Sequence, residues 1–443
     1  MENEKTKSEF TFRKHSWRQF KKNKPAYVSL WILGVLAFIA LFAPVIANER
    51  PLMMKYKGHI FFPAFSFANN YEVKDEKTGE TENIQLDICE WKKMNFDFVI
   101  WAPVPYSPDK ADHENTNDIS PGGKQEFLNA EGKIIPMPMR FRHFLGTSSR
   151  GEDVLSGLIH GARISLTIGF LSMSIASLLG LLLGSLAGFF GDERMQTSRG
   201  RFWTTIVGII LAWHYAFNLR SFSLTDALAI SGLEFLKELF FSLLIFAFIL
   251  VIFSKLGKQI GKIPWLNKRV KIPVDSLISR LIEVFISLPT FILILSVAAI
   301  AKPSFINLMV IIGLTSWTGI ARLTRAEFLR IRNLEYIQAA KALGFSEYRT
   351  ILKHALPNGI SPALVSIAFG IASAILIESS LSFLGVGVPP ETQTWGSLLF
   401  AGKENFSAWW LVLFPGIMIF ITVTVYNLIG EGLRDALDPR QKN

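Results

Sequence analysis

The stretch YIQAAKALGFSEYRTILKHALPN (Tyr336–Asn358) lies between strongly apolar runs, yet it is polar and basic. Such a composition does not sit in hydrocarbon, so it is read as an aqueous loop between membrane spans. Its pattern predicts two short helices. Asn333 is placed as an N-cap, with Glu335 in the first turn, where the helix dipole favours an anion. Gly344, free to take positive φ, is placed just past the helix end. The helix between them, Leu334 to Leu343, is about ten residues long. Isolated helices below about 12–15 residues are marginal in water, so something must hold this one. Tyr336, Ala339, Ala340 and Leu343 recur at i, i+3, i+4 and i+7 and share a face. The two alanines leave room for another surface to come close. Ser346 then caps a second helix, Glu347 to Leu356, which Pro357 ends by removing a backbone N–H. The shared face packs either on the chain's own helix ends or on a partner, and the residues leave both open.

The flanks fix the class. The chain has 443 residues, half of them hydrophobic, and carries a net charge of +10. Its mean hydropathy is +0.33 and its pI about 9.5. That is too apolar for an ordinary soluble enzyme and too charged for a bare membrane bundle, so spans plus aqueous segments are expected. The charge would also suit nucleic acid. In a polytopic chain, however, Lys and Arg collect in cytoplasmic loops and near anionic headgroups, and that reading is adopted: membrane lipid, no nucleic acid. Cys89 stands alone in the sequence, so no intramolecular disulfide is possible. It reads as a small buried apolar side chain.

Residues 1–26 hold eight Lys/Arg against three Glu, which places the N-terminus in the cytoplasm. The uncharged run 27–47 follows, long enough to span and too long for a typical cleaved signal. Residues 48–163 are then external: mixed in charge, with Pro and aromatics, and long enough for a small domain. Further spans are read at 164–190, 203–217, 236–253, 281–301, 304–321, 360–386 and 409–429, giving eight. The 203–217 run is short. Its crossing is required by charge: it puts loop 322–358, with seven Lys/Arg against three Glu, inside. The loop after 236–253, SKLGKQIGKIPWLNKRVK, has six basic residues and no acid, and also reads as cytoplasmic. The C-terminus returns to the cytoplasm. The expected fold is an all-α polytopic membrane protein.

Glu378 lies deep in the 360–386 run. A carboxylate at depth is costly and needs partners or a wet cavity. Either it bonds to Ser379, Ser380 or Ser382, or with Ser379 and Ser382 it lines a translocation path. Glu283, near a span end, is a lesser candidate for that path. Pro289 is expected to kink its helix. His160, His214 and His354 have no metal-ligand spacing.

Several segments carry a family resemblance. QAAKALG, followed twelve residues after Gly344 by Leu-Pro, resembles the EAA loop of ABC-importer permeases, on Ala339, Ala340, Gly344, Leu356 and Pro357. Gln338 stands where that motif has Glu, and His354 where it has Ile. LGTSSRGEDVLSGLIHGARISL (Leu145–Leu166) resembles the dipeptide/oligopeptide/nickel permease pattern, with Ser148 in place of Asp and Glu152 in place of Arg. ESSLSFLGVGVPP (Glu378–Pro390) and GEGLRDALDPR (Gly430–Arg440) resemble further signatures of the C-type subunit. Ser29–Pro63 is similar to the microcin C and oligopeptide subgroup. The resemblance covers Lys24–Pro63, Arg142–Asp192 and Asp275–Arg440. Residues 193–274, with two added spans, depart from the family's six-span core.

The resemblance implies an inner-membrane permease that pairs with a second permease, two cytoplasmic ABC ATPase subunits and an external solute-binding protein, and that imports peptides or peptide-like solutes. The sequence fits a division of labour: no GxxxxGK followed by Ser or Thr occurs, so no cofactor is expected on this chain, and ATP and Mg belong to the partners. Energy would arrive through the coupling loop, on Glu335, Tyr336, Gln338, Ala339, Ala340, Leu343, Gly344, Ser346, Leu356 and Pro357. The segment 48–163 would dock the binding protein or cover the outer mouth. Two other classes compete with this reading. An ion-coupled transporter would call for ionisable residues in several spans and for repeats, which are few and absent respectively. A membrane scaffold would not need the EAA-like loop. The solute's identity is not written in the residues.

Overall fold

The computed structural model describes residues 12–66, 70–74, 81–86, 88–129, 132–230, 232–389 and 391–437. Residues 1–11 of the expected basic N-terminus, Pro390, and the end of the GEGLRDALDPR segment at 438–440 lie outside them. Within these bounds the helices are α1 Phe12–Lys22, α2 Lys24–Leu41, α3 Ala43–Ile46, α4 Val154–Phe190, α5 Arg199–Trp213, α6 Ser221–Ile230, α7 Gly232–Ile260, α8 Val274–Ser287, α9 Thr290–Ile300, α10 Phe305–Ile331, α11 Glu335–Ala342, α12 Glu347–Thr350, α13 Leu356–Gly359, α14 Ser361–Phe383, α15 Trp395–Glu404 and α16 Trp410–Leu437. The strands are β1 Met53–Tyr56, β2 His59–Phe61, β3 Asn70–Lys74, β4 Thr81–Gln85, β5 Phe98–Ile100, β6 Glu126–Leu128, β7 Ile134–Pro136, β8 Gln196–Ser198 and β9 Arg269–Lys271.

Among the described residues, six helices are long and apolar enough to cross a membrane, or up to eight if each of two bent pairs is one span. Two expected spans need correction in form. The 203–217 run lies in the first arm of a bent pair: α5 continues through a π-helical turn at His214–Asn218, and α6 follows at 43° after a break at residues 219–220. The 281–301 run is broken: α8 ends at Ser287, α9 starts at Thr290, and the two are bent by 78°. Pro289 accounts for the break, because its ring cannot continue the preceding helix. Other boundaries move outward. The helix expected from 164 begins at Val154, and the one expected to stop at 321 runs on to Ile331, so much of the assumed cytoplasmic loop is helix.

The chain divides into two compact units: residues 1–179, 288–320 and 360–443, and residues 180–287 and 321–359. In the first, α2 packs on α16. Asn23 caps α2 by accepting from Ala26 N–H, and its Nδ2 donates to Asp435 at 3.0 Å. A Cβ on Gly432 would stand 2.3 Å from that of Ala26, so glycine is required for this approach. Residues 48–153 of the same unit hold seven of the nine strands. Strand β1 is central in an antiparallel sheet β2-β1-β5, and the β1–β2 turn uses positive φ at Lys57 and Gly58. Met54, Val73, Ile84, Leu86 and Trp91 form its apolar core. Cys89 is half-buried beside this core, with Sγ 3.2 Å from Met94 Sδ. Where the segment meets α4, His143 is clamped between Asp153 (2.9 Å from Nδ1) and Asp112 (3.1 Å from Nε2).

In the second unit, residues 193–274 form a closed excursion. Strands β8 and β9 pair antiparallel at its base, and α5 lies along α7. Arg201 donates to Ser254 Oγ at 3.0 and 2.7 Å, and Arg220 pairs with Glu238. Glycines 184 and 188 bring α4 against α10: added Cβ atoms would meet the carbonyl oxygens of Ala321 and Arg325 at 2.5 and 2.4 Å.

Candidate coupling surface

The stretch Tyr336–Asn358 hangs from the end of α10. Arg325 forms a two-contact pair with Asp275, one contact 2.8 Å long, and Arg332 donates to Gly188 O at 3.3 Å. Helix α11 follows after a short turn. Its N-cap is Leu334, with no side-chain capping bond, so the expected Asn333 cap is corrected; Asn333 Nδ2 instead reaches back to Leu329 O. Glu335 occupies the first turn and is exposed.

Packing stabilises this eight-residue helix. Ile337, fully buried, joins Phe189, Phe328, Ile331, Ile351 and Ala355 in one apolar cluster. Burying such a side chain is worth about 1.5–3 kcal/mol, enough to hold a helix that water alone would not. Ala340 is 5% exposed and turns toward the same side. This corrects the expected face: Ala340 does not share a free surface with Tyr336, Ala339 and Leu343. Those three are exposed, Leu343 at 73%. The helix therefore has two working sides, one on the chain's own core and one facing out. The sequence reading missed Ile337; the Ile337–Ala340–Gly344 spacing of i, i+3, i+7 was the signal for an inward stripe.

Gln338 is exposed, and its Nε2 donates to Arg332 O at 3.3 Å. A glutamate would have no proton to give there. Lys341 lies 4.9 Å over the Phe189 ring and 3.6 Å from Glu347. Burial, helped by nearby Arg194 and Arg332, lowers its pKa against the pull of Glu347.

Gly344 takes φ +76°, and an added Cβ would meet nothing within 4 Å, so its role is conformational. Ser346 Oγ accepts from Arg349 N–H at 3.3 Å as an N-cap. The second helix is not the regular Glu347–Leu356 segment expected. It runs as α12, a π-helical turn Ile351–Ala355, and α13, and it passes through Pro357 to Gly359. Leu356 N–H bonds to Ile351 O, one residue further back than in an α-helix. That wider turn gives the Pro357 ring, which lacks a donor, room to be carried rather than to terminate. Leu356 packs on the Ile337 cluster and Pro357 is exposed.

The family described as "Binding-protein-dependent transport system inner membrane component" matches residues 265–443, and "N-terminal TM domain of oligopeptide transport permease C" matches residues 11–63. The chain is 29% identical to the inner membrane ABC transporter permease protein YejE of Escherichia coli, with 96% of each chain covered. It is 28% identical to the peptidoglycan transport system permease protein YejE of Agrobacterium fabrum, over 97% of this chain and 93% of that one. It is 31% identical to the di/tripeptide transport system permease protein DppC of Pseudomonas aeruginosa, over 68% of this chain and 74% of that one. The chain belongs to the binding-protein-dependent transport system inner membrane component family.

It is thus a multi-pass inner-membrane permease subunit of an ABC transporter, and not an enzyme. In this permease Glu378 is fully buried. It accepts hydrogen bonds from Ser165 (3.0 Å), Ser382 (2.9 Å) and Ser379 (3.3 Å), which joins α4 to α14. Of the two readings open for Glu378, the geometry is that of an acid held by serines. Helix α15 closes over it, with Gly396 so near that a Cβ would lie 2.6 Å from that of Ser382. Glu283 is no part of this cluster; it is exposed on α8 and paired with Arg280 at 2.7 Å.

Proposed function

We propose that this permease imports peptides or peptide-like solutes, taking them from an external binding protein and releasing them to the cytoplasm. A second permease subunit completes the pathway, and two ATPase subunits on the cytoplasmic side bind ATP and Mg, leaving this chain without a cofactor. The N- and C-termini are cytoplasmic and residues 48–153 are external. The substrate class is favoured by relatives named for di/tripeptides and for peptidoglycan, itself a peptide-bearing polymer. The observation that carries the coupling role is the two-sided α11. Ile337 and Ala340 fix it to the core, while Tyr336, Ala339 and Leu343 stand outward as a rigid knob. A surface that is stiff on one side and free on the other can transmit movement. Coupling further requires that the ATPase contact it differently in its two states. Glu335, Gln338, Gly344, Ser346, Leu356 and Pro357 act by holding that knob in place. Glu378, Ser379 and Ser382 hold the bundle together rather than touch the solute.

Reconstitution of the permease with its partners tests this. Uptake of di- and oligopeptides should require ATP, the binding protein and an intact α11. Uptake that continues without ATP but collapses with the ion gradient would replace this reading with ion-coupled transport.

A further inference from the structure

The base of the excursion 193–274 gathers positive charge. Its two arms, residues 195–201 and 254–270, hold seven Lys/Arg and no acid. Lys255, Lys258, Lys262, Lys268 and Arg269 are exposed and, among the described residues, form no ion pair. The acids that flank the arms are held elsewhere. Glu193 pairs with Lys271 at 3.0 Å, Asp192 accepts from Ser276 N–H at 2.9 Å, and Asp275 is taken by Arg325. Like charges repel, yet this base is tightly built. Arg199 N–H donates to Lys268 O at 2.9 Å and Gly200 N–H to Leu266 O at 3.0 Å. A Cβ on Gly200 would stand 3.0 Å from Gly261 Cα. Backbone packing holds the cations side by side without a counter-ion of their own, so an anion from outside gains from several at once.

The apolar groups beside them say which anion. Trp265 is 74% exposed and Ile263 51%, in the same loop, and the Arg199 guanidinium lies 5.3 Å from the centroid of the Trp265 ring. Trp203, Leu256 and Ile260, also exposed, carry this surface onto the outer sides of α5 and α7. Helix α7 is long and apolar enough to cross a membrane, and only 6% of its apolar window is buried by the rest of the chain. Its end at Ile260 lies at headgroup depth. Lys258 and Lys255 come two and five residues earlier, about 3 and 7.5 Å along the axis, within reach of a stem that snorkels outward. Cations and tryptophan together at the end of a span are the pattern of a membrane–water interface. Continuity with a bare spanning helix favours a lipid headgroup over an acidic protein.

We propose that the base of the excursion binds the headgroups of anionic phospholipids, with Lys258, Lys262, Lys268 and Arg269 as the phosphate-facing cations and Trp265 and Ile263 seated in the interface. It goes beyond the import reading and does not depend on what the permease carries. The test uses the full-length permease with its partner subunits, loaded with equal amounts of phosphatidylglycerol and phosphatidylcholine, and counts retained lipid by native mass spectrometry. The parent should keep phosphatidylglycerol at least about fivefold over phosphatidylcholine, and the preference should shrink in high salt. Lys262→Gln with Lys268→Gln should remove most of it, and Lys262→Arg with Lys268→Arg should keep it. Lys55→Gln with Lys124→Gln, the same charge taken from the segment 48–153, should change little. In nanodiscs, acyl-brominated phosphatidylglycerol should quench the Trp265 fluorescence, read as the difference between the parent and Trp265→Phe, more than brominated phosphatidylcholine does. Equal retention of the two lipids by the parent overturns the proposal. So does a preference that the Lys262/Lys268 glutamine pair leaves intact, or that the control pair lowers as much. Trp265 fluorescence that neither brominated lipid quenches would place the loop away from the membrane and overturn it too. If the glutamine pair lost ATPase on co-purification while its lipid preference stayed, the base would be a protein-docking surface and the lipid assignment would fall.

Discussion

At the scale of single residues, two positions turn on hydrogen bonds that composition does not reveal. Gln338, with His354, is one of two departures from the family motif. Its amide donates to Arg332 O, a bond a carboxylate cannot make. Gln338→Glu should therefore loosen α11 by about 0.5–1.5 kcal/mol, read as faster amide exchange over residues 335–342 with the transmembrane core unaffected. His143 is the second. Burial alone would lower its pKa, but Asp112 and Asp153 hold it above the ordinary value. Its contribution is then full below the unfolded value of about 6.5 and is lost as pH rises through the higher native value. Burial raises the Asp112 pKa but His143 and Lys92 lower it further, so its contribution is lost in the opposite direction, as pH falls. Melting followed against pH should show an alkaline decline in the segment 48–153 that His143→Gln flattens; an unchanged decline would mean that His143 is not its source. Neither partner of His143 is legible in the sequence, because Asp112 is 31 residues away and only the fold joins them. Gly344 is the opposite case. Its positive φ was readable from its place after a short helix, because the requirement is local.

At the scale of elements, the question is which side of α11 faces out. Leu343→Arg or Ala339→Arg should leave folding intact and weaken ATPase recruitment about tenfold or more, measured by co-purification and by stimulated ATP hydrolysis. Ala340→Trp should act otherwise. It overpacks the Ile337 cluster, at a cost of about 1–3 kcal/mol or more, and should lower the melting temperature before it touches coupling. Equal melting temperatures for the Ala339 and Ala340 variants would refute the inward assignment of Ala340. Helical periodicity put Tyr336, Ala339, Ala340 and Leu343 on one arc, but an eight-residue helix is too short for periodicity to choose where the arc divides. The π-helical turn before Pro357 was also illegible, since proline rules describe regular helices and a wider turn changes the geometry they assume. Close approach between α4 and α10 rests on Gly184 and Gly188, which the packing rather than the hydropathy singles out.

At the scale of the whole molecule, hydropathy located every long apolar helix among the described residues; the break at residues 219–220 lay beyond it, and that at 288–289 was legible only through Pro289. Average hydropathy is blind to a bend that leaves composition unchanged. The solitary cysteine makes sidedness testable. Cys89 is half-buried, and burial pushes its thiol up to about 11, so it should react slowly with maleimides at neutral pH. In a Cys89→Ser background, cysteines at Lys110 and Asn358 should label from opposite faces of the membrane, Lys110 from outside. The claim on which the whole account rests is narrower: the outward face of α11 is where the ATPase pushes. In the same background, cysteines at Leu343, Ala339 and Ile337 can be paired with cysteines on the ATPase surface in the assembled, transporting complex. The account predicts nucleotide-dependent cross-links at Leu343 and Ala339 and none at the buried Ile337. A complex that hydrolyses ATP and moves solute while neither Leu343 nor Ala339 cross-links to the ATPase would contradict it.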